Sequence, residues 1–124
     1  MSVPILKQGD YLIASIQSAL TDSEVLKLRD DLADRVGNFR SRGIVIDVTA
    51  VDVIDSFVAR SLQTIASTAK LRGAETVLVG IQPDVAVAMV QFELSLDPLL
   101  PALDLEEGIA ALRRSTGGVD EDGR

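Results

Sequence analysis

The chain has 124 residues, 47% of them apolar, which suits one ordinary domain with one core and makes a two-domain enzyme an unpromising reading. Nineteen acidic against twelve basic side chains leave a net charge of −7, a field that repels phosphate backbones and anionic lipid, so neither nucleic acid nor a membrane surface is an expected partner. Cysteine and histidine are both absent, which removes disulfides, thiol nucleophiles, Ser-His-Asp triads, imidazole acid–base chemistry and cysteine or histidine metal sites together. No apolar stretch approaches the length of a membrane span and no basic–apolar leader opens the chain, so a soluble cytoplasmic protein is expected. With Tyr11, Phe39, Phe57 and Phe92 as the aromatics, the core must rest on Val, Ile, Leu and Ala.

Val3 to Lys7 and Tyr11 to Gln17 are short apolar-rich runs linked by Gln8-Gly9-Asp10, which predicts an opening antiparallel hairpin with a bulged three-residue link. Thr21 and Glu24 carry the spacing of a capping box, and Val25, Leu28, Leu32, Val36 and Phe39 then recur at helical spacing, with Gly43 placed to stop the helix. The β-branched run Ile44 to Val48 reads as a buried strand. A second helix follows Asp55-Ser56, with Val58, Leu62, Ile65, Ala66 and Ala69 on its apolar stripe and Gly73 at its end.

Thr76 to Val79 is the next strand, and Pro83 opens a helix over Asp84 to Leu94 that is apolar nearly all round. Plain burial is the simpler reading of that helix; an assembly face is the other. Leu103 is the candidate for a last short strand, and Asp104 with Glu107 resembles a cap for a final helix. Alternating strands and helices predict an α/β domain, with about four helices on a mixed sheet that is parallel at its centre and antiparallel at the hairpin. The domain is expected over residues 3–115, with residues 116–124 a disordered acidic tail.

The glycines form neither a dinucleotide fingerprint nor a phosphate loop, and no cofactor is expected. Asp47, Asp52 and Asp55 cluster near the end of a central strand, where they could hold Mg²⁺ or accept a phosphoryl group as in a receiver domain. The simpler reading makes them turn residues and helix caps, and a receiver does not open with a hairpin. Ser56 stands where an extended run enters a helix, so its hydroxyl should lie on the surface beside unpaired amides, as an N-cap, as a phosphorylation acceptor, or as both. A phosphate there would meet the positive end of the helix dipole and leave the helix intact, so its effect would fall on whatever docks at that surface.

The runs I-V-I-D-V-T-A-V-D-V-I-D-S-F-V-A-R, Ile44 to Arg60, and G-A-E-T-V-L-V-G-I-Q-P-D-V-A-V, Gly73 to Val87, resemble the STAS domain of bacterial anti-sigma-factor antagonists. The pairing of V-D-x-I-D-S-F with V-G-I-Q-P is most similar to the RsbS-type small subunit of the stressosome, and the likeness covers the chain except its tail. The resemblance implies a non-catalytic antagonist that co-assembles with RsbR-type STAS co-antagonists and holds a switch kinase of the GHKL type. Phosphorylation of the acceptor serine releases that kinase, and a phosphatase resets the assembly.

Carried onto this chain, the acceptor is Ser56, with Asp55, Phe57 and Arg60 as partner-binding residues and Asp55 ordering the loop beside the acceptor. The co-antagonists carry an extra N-terminal sensory domain and threonine acceptors. A start at the hairpin and a serine acceptor place this chain with the small subunit. Ala88 departs from relatives with a hydroxyl residue after I-x-P, which leaves Ser56 as the main switch. The alternative is a solitary antagonist that binds an anti-sigma kinase directly and is regulated at the same serine.

Overall fold

The computed structural model describes residues 3–116, so the tail expected to be disordered lies, after Thr116, outside the described residues. Strands β1 (Ile5–Gln8) and β2 (Tyr11–Ser15) form the opening hairpin. They are followed by α1 (Asp22–Phe39), β3 (Gly43–Asp47), α2 (Ser56–Leu71), β4 (Glu75–Val79), α3 (Pro83–Gln91), β5 (Leu100–Ala102) and α4 (Leu105–Ser115). The sheet order is β1-β2-β3-β4-β5, antiparallel between β1 and β2 and parallel elsewhere, as the alternation of elements predicts. Gln8 pairs with Tyr11, so the hairpin closes through Gly9-Asp10 alone, without the expected third residue or bulge. Gly9 takes a φ of 60° at the first turn position, which matches the strand twist in a two-residue link.

Alternate strand residues face opposite layers. Leu12, Ala14, Ile44, Ile46 and Leu78 pack against Leu28 and Leu32 of α1, Leu62 and Ile65 of α2, and Val85 and Met89 of α3. Ile13, Val45, Val77 and Val79 face the other way, onto Leu112 of α4. Each such Val, Leu, Ile or Met side chain contributes about 1.5–3 kcal/mol by leaving water, so the β2–β3–β4 centre fixes the register.

The capping box of α1 forms as read from the sequence. Glu24 N–H donates to Thr21 Oγ1 at 3.2 Å and Thr21 N–H to Glu24 Oε1 at 2.8 Å. The backbone donor of Thr21 holds the Glu24 carboxyl below its ordinary pKa. At its other end α1 stops earlier than Gly43. Arg40 adopts the left-handed conformation (φ 51°) and its N–H bonds Val36 O. Gly43 is instead the first residue of β3, where a Cβ would stand 2.9 Å from Leu112 and Tyr11 side chains.

Helix α3 differs most from expectation. It ends at Gln91 rather than Leu94, because Glu93 turns left-handed (φ 55°) and Leu94 N–H closes back on Met89 O at 2.9 Å. Plain burial is not its state, since Val85 and Met89 are its buried residues while Val87, Val90 and Phe92 are 56%, 79% and 74% exposed. The last strand lies at Leu100–Ala102 and not at Leu103, with Pro101 on an edge where a missing amide is tolerated. Asp104 caps α4 as expected, its Oδ1 accepting from Glu107 N–H at 2.9 Å.

Candidate functional site

The loop from β3 to α2 starts with a turn built by Asp47, whose Oδ1 accepts from Thr49 N–H at 2.9 Å and from Thr49 Oγ1 at 2.6 Å. Gln82 Nε2 donates to Thr49 O at 2.9 Å and ties this turn to the start of α3. Val51 and Ile54 then plug the loop into the core, at 4% and 7% exposure, while Asp52 and Val53 between them project outward. The alternation of buried and projecting residues delivers Asp55 and Ser56 to the surface in a fixed orientation.

Both residues suit an N-cap by type, and the structure assigns the cap to Asp55. Its backbone is extended (φ −86°, ψ 179°), its Oδ1 accepts from Val58 N–H at 2.8 Å, and its carbonyl accepts from Ala59 N–H at 2.9 Å. Ser56 is therefore the first helical residue. It is exposed, and its hydroxyl has no hydrogen bond among the described residues. The amides of Ser56 and Phe57 precede the first capped amide and face the same end of the helix dipole. Replacing Asp55 by Ala is expected to destabilise the protein by about 1 kcal/mol, while Asp55→Asn retains most of that stability, as chemical denaturation will measure.

The four residues singled out in the sequence do not share one surface. Asp55 and Ser56 open on a groove of about 550 Å³ between this loop and α3, walled by Val53, Ile54, Val85, Ala88, Phe92 and Leu94. Asp52, Asp55 and Asp84 border it, and none of the three forms an ion pair among the described residues. Phe57 and Arg60 line a separate groove of about 320 Å³ between α1 and α2 that also holds Leu26 and Arg29. Ser56 thus opens on the apolar groove with the acidic border, while the guanidiniums of Arg29 and Arg60 line the other groove. Sequence reasoning missed Val53, Asp84 and Phe92 as parts of the site. The available signal was the all-round apolar character of α3, which exceeds what one buried stripe requires.

The aspartates behave as turn and cap residues where they are engaged, Asp47 in the Thr49 turn and Asp55 in the cap. Among the described residues no group of three or more carboxylate, cysteine or histidine side chains is arranged to hold a metal ion. No helix among them is long and apolar enough to cross a membrane.

A mixed sheet opening with an antiparallel hairpin, with helices on both faces and a serine at the first position of α2, is the architecture of a STAS domain. The STAS domain family matches residues 2–105, and the chain belongs to it. It is similar to a serine-to-glutamate variant of RsbS from Moorella thermoacetica, with 36% identity and a TM-score of 0.78 over 93% of this chain and 97% of that one. A chain in the solved architecture of the stressosome, described as a signal integration and transduction hub, is 34% identical, with a TM-score of 0.72 over 90% of this chain and 97% of that one.

Among curated proteins, the RsbT co-antagonist protein RsbRA of Bacillus subtilis is 27% identical over 110 residues, which is 88% of this chain and 40% of that protein. The chain likewise spans 40% of the co-antagonist RsbRD. The anti-sigma factor antagonist SpoIIAA shares the fold at 14% identity and a TM-score of 0.67.

Proposed function

We propose that this chain is a non-catalytic stressosome scaffold and antagonist that sequesters a switch serine kinase of the GHKL type and releases it when Ser56 is phosphorylated. The observation that carries the proposal is the state of the Ser56 hydroxyl, exposed, without a hydrogen bond among the described residues, and adjacent to a cap already satisfied by Asp55. A serine that served as the cap would have to give up its bond to Val58 N–H before reaction; this one loses nothing. The likeness to RsbS and to a stressosome chain supports the assembly, and the likeness to RsbT co-antagonists supports RsbR-type STAS proteins as its partners.

Asp55 orders the acceptor, Phe57 and Arg60 contribute to partner binding, and a phosphatase restores the unmodified serine. The domain spans residues 3–115, works in the cytoplasm, and self-associates within the particle. The solitary antagonist differs in one measurable respect, since it remains small on size-exclusion chromatography in the presence of an RsbR-type co-antagonist.

Incubation with the cognate kinase and ATP, followed by phosphosite mapping, tests the assignment. Wild type is expected to carry one phosphate, on Ser56, stable to acid and labile to base, and Ser56→Ala is expected to carry none. Modification elsewhere, or an acid-labile acyl phosphate on Asp47 or Asp52, overturns it.

A further inference from the structure

The groove between the Ser56 loop and α3 is larger and more apolar than phosphoryl acceptance at a serine hydroxyl requires. Val53 and Phe92 stand 60% and 74% exposed on its walls, and Asp52 and Asp84 border it without an ion pair among the described residues. We propose that this groove is the docking seat for a basic segment of the kinase. One large apolar side chain of that segment enters between Val53, Ala88 and Phe92, and lysine or arginine residues flanking it face Asp52 and Asp84. The inference rests on the proposed kinase and adds the chemistry of the contact.

Charge complementarity selects this occupant. A cavity of about 550 Å³ accommodates an aromatic or long aliphatic side chain. The carboxylates on its border favour a cationic segment and disfavour an acidic one, a nucleotide or a lipid headgroup. The α1–α2 groove carries Arg29 and Arg60, so a cationic segment is directed to the α3 groove and away from that one. Docking there places the apolar anchor against the wall that Ser56 helps to form. A phosphate on Ser56 would be buried against that apolar anchor, a desolvation cost that opposes docking.

The two contributions differ in their response to salt, and calorimetric titration of the full chain with its cognate kinase at 50 and 500 mM NaCl separates them. At low salt the double variant Asp52→Lys, Asp84→Lys is expected to bind about tenfold more weakly than wild type, with most of the loss gone at high salt. Phe92→Ala is expected to lose about tenfold at both salt concentrations, and Lys70→Glu, at the far end of α2, to change binding less than twofold. All these side chains are exposed, and thermal melts will verify that the variants are folded.

Unchanged or tighter binding by the lysine variant overturns the inference, as does wild-type binding by Phe92→Ala at both salt concentrations. If wild type binds and these results appear, only the docking seat is wrong. If wild type does not bind the kinase at all, the proposed function falls with it.

Discussion

Stoichiometric phosphorylation of Ser56 is expected to weaken kinase binding by at least about 100-fold while leaving the fold as stable as before or slightly more so. The two halves of this expectation come from the same position. As the first residue of α2, Ser56 places a group of charge about −1.5 to −2 at the positive end of the helix, where the dipole favours it by about 0.3–1 kcal/mol. The cap bond from Val58 N–H to Asp55 is separate from the serine hydroxyl and survives the modification.

Eviction requires a larger energy than the dipole supplies. A hundredfold change is about 2.7 kcal/mol of differential binding, and reversing a 1:99 population needs about 5.5 kcal/mol. A solvated charge pair supplies about 0–1 kcal/mol and fails this test, whereas covering an ion costs several kcal/mol. The phosphate must therefore be buried in the complex, and Ser56 must lie near the centre of the contact. Calorimetry on the phosphorylated and unmodified chains checks the affinity, and denaturant unfolding checks the stability. Ser56→Ala is expected to bind like the unmodified chain and to retain the kinase in the presence of ATP. Equal affinity of the two forms would remove the switch.

The parts of the fold that local pattern specifies were legible in the sequence. The capping box at Thr21, the Asp104 cap of α4, the stripe Val25, Leu28, Leu32, Val36 on α1 and the buried run at Ile44 each depend on neighbours within one or two turns and formed as read, although Phe39, read as the end of that stripe, is exposed, and Glu107 reaches back to Leu103 N–H and not to the Asp104 amide. What escaped depends on contacts from elsewhere in the chain or on competition between adjacent candidates. Arg40, not a glycine, adopts the left-handed stop of α1, and Gly43 serves instead where Leu112 and Tyr11 close over β3. An all-apolar helix has no periodicity to say which side faces the sheet, so the exposure of Val87 and Val90 could not be read from α3 itself. The three-residue strand β5 is too short to show a period and contains Pro101. At the site, Ser56 was legible as a displayed hydroxyl. Its groove was not, because Phe92 and Asp84 reach it only through the packing of α3.

The second large effect is expected at Gly80, where Ala should destabilise the fold by about 2–5 kcal/mol. Gly80 has a φ of 80°, a conformation that costs an L-residue about 1–2 kcal/mol. An added Cβ would also run into Thr49 Oγ1 and lie 3.1 Å from Thr49 Cβ and 3.2 Å from its Cα. Thr49 cannot yield easily, since its amide and hydroxyl both bond Asp47 Oδ1 and its carbonyl accepts from Gln82. Gly80 is held in turn by its own N–H to Ala102 O at 3.1 Å. Overpacking a site fixed from both sides adds about 1–3 kcal/mol to the backbone strain.

A double-mutant cycle with Thr49→Ala separates the two terms. Removing Oγ1 loses a hydrogen bond worth about 1 kcal/mol in the Gly80 background. It relieves the worst contact in the Gly80→Ala background, so the pair should be coupled favourably by about 1 kcal/mol or more. The residual cost of about 1–2 kcal/mol is the left-handed backbone, which no change at Thr49 can relieve. Denaturant unfolding of the four proteins reads all of this, and a Gly80→Ala cost of only about 1–2 kcal/mol, with no coupling to Thr49→Ala, would show that the Thr49 turn moves freely. A freely moving turn would also weaken the switch, because the loop that begins there sets the orientation of Asp55 and Ser56.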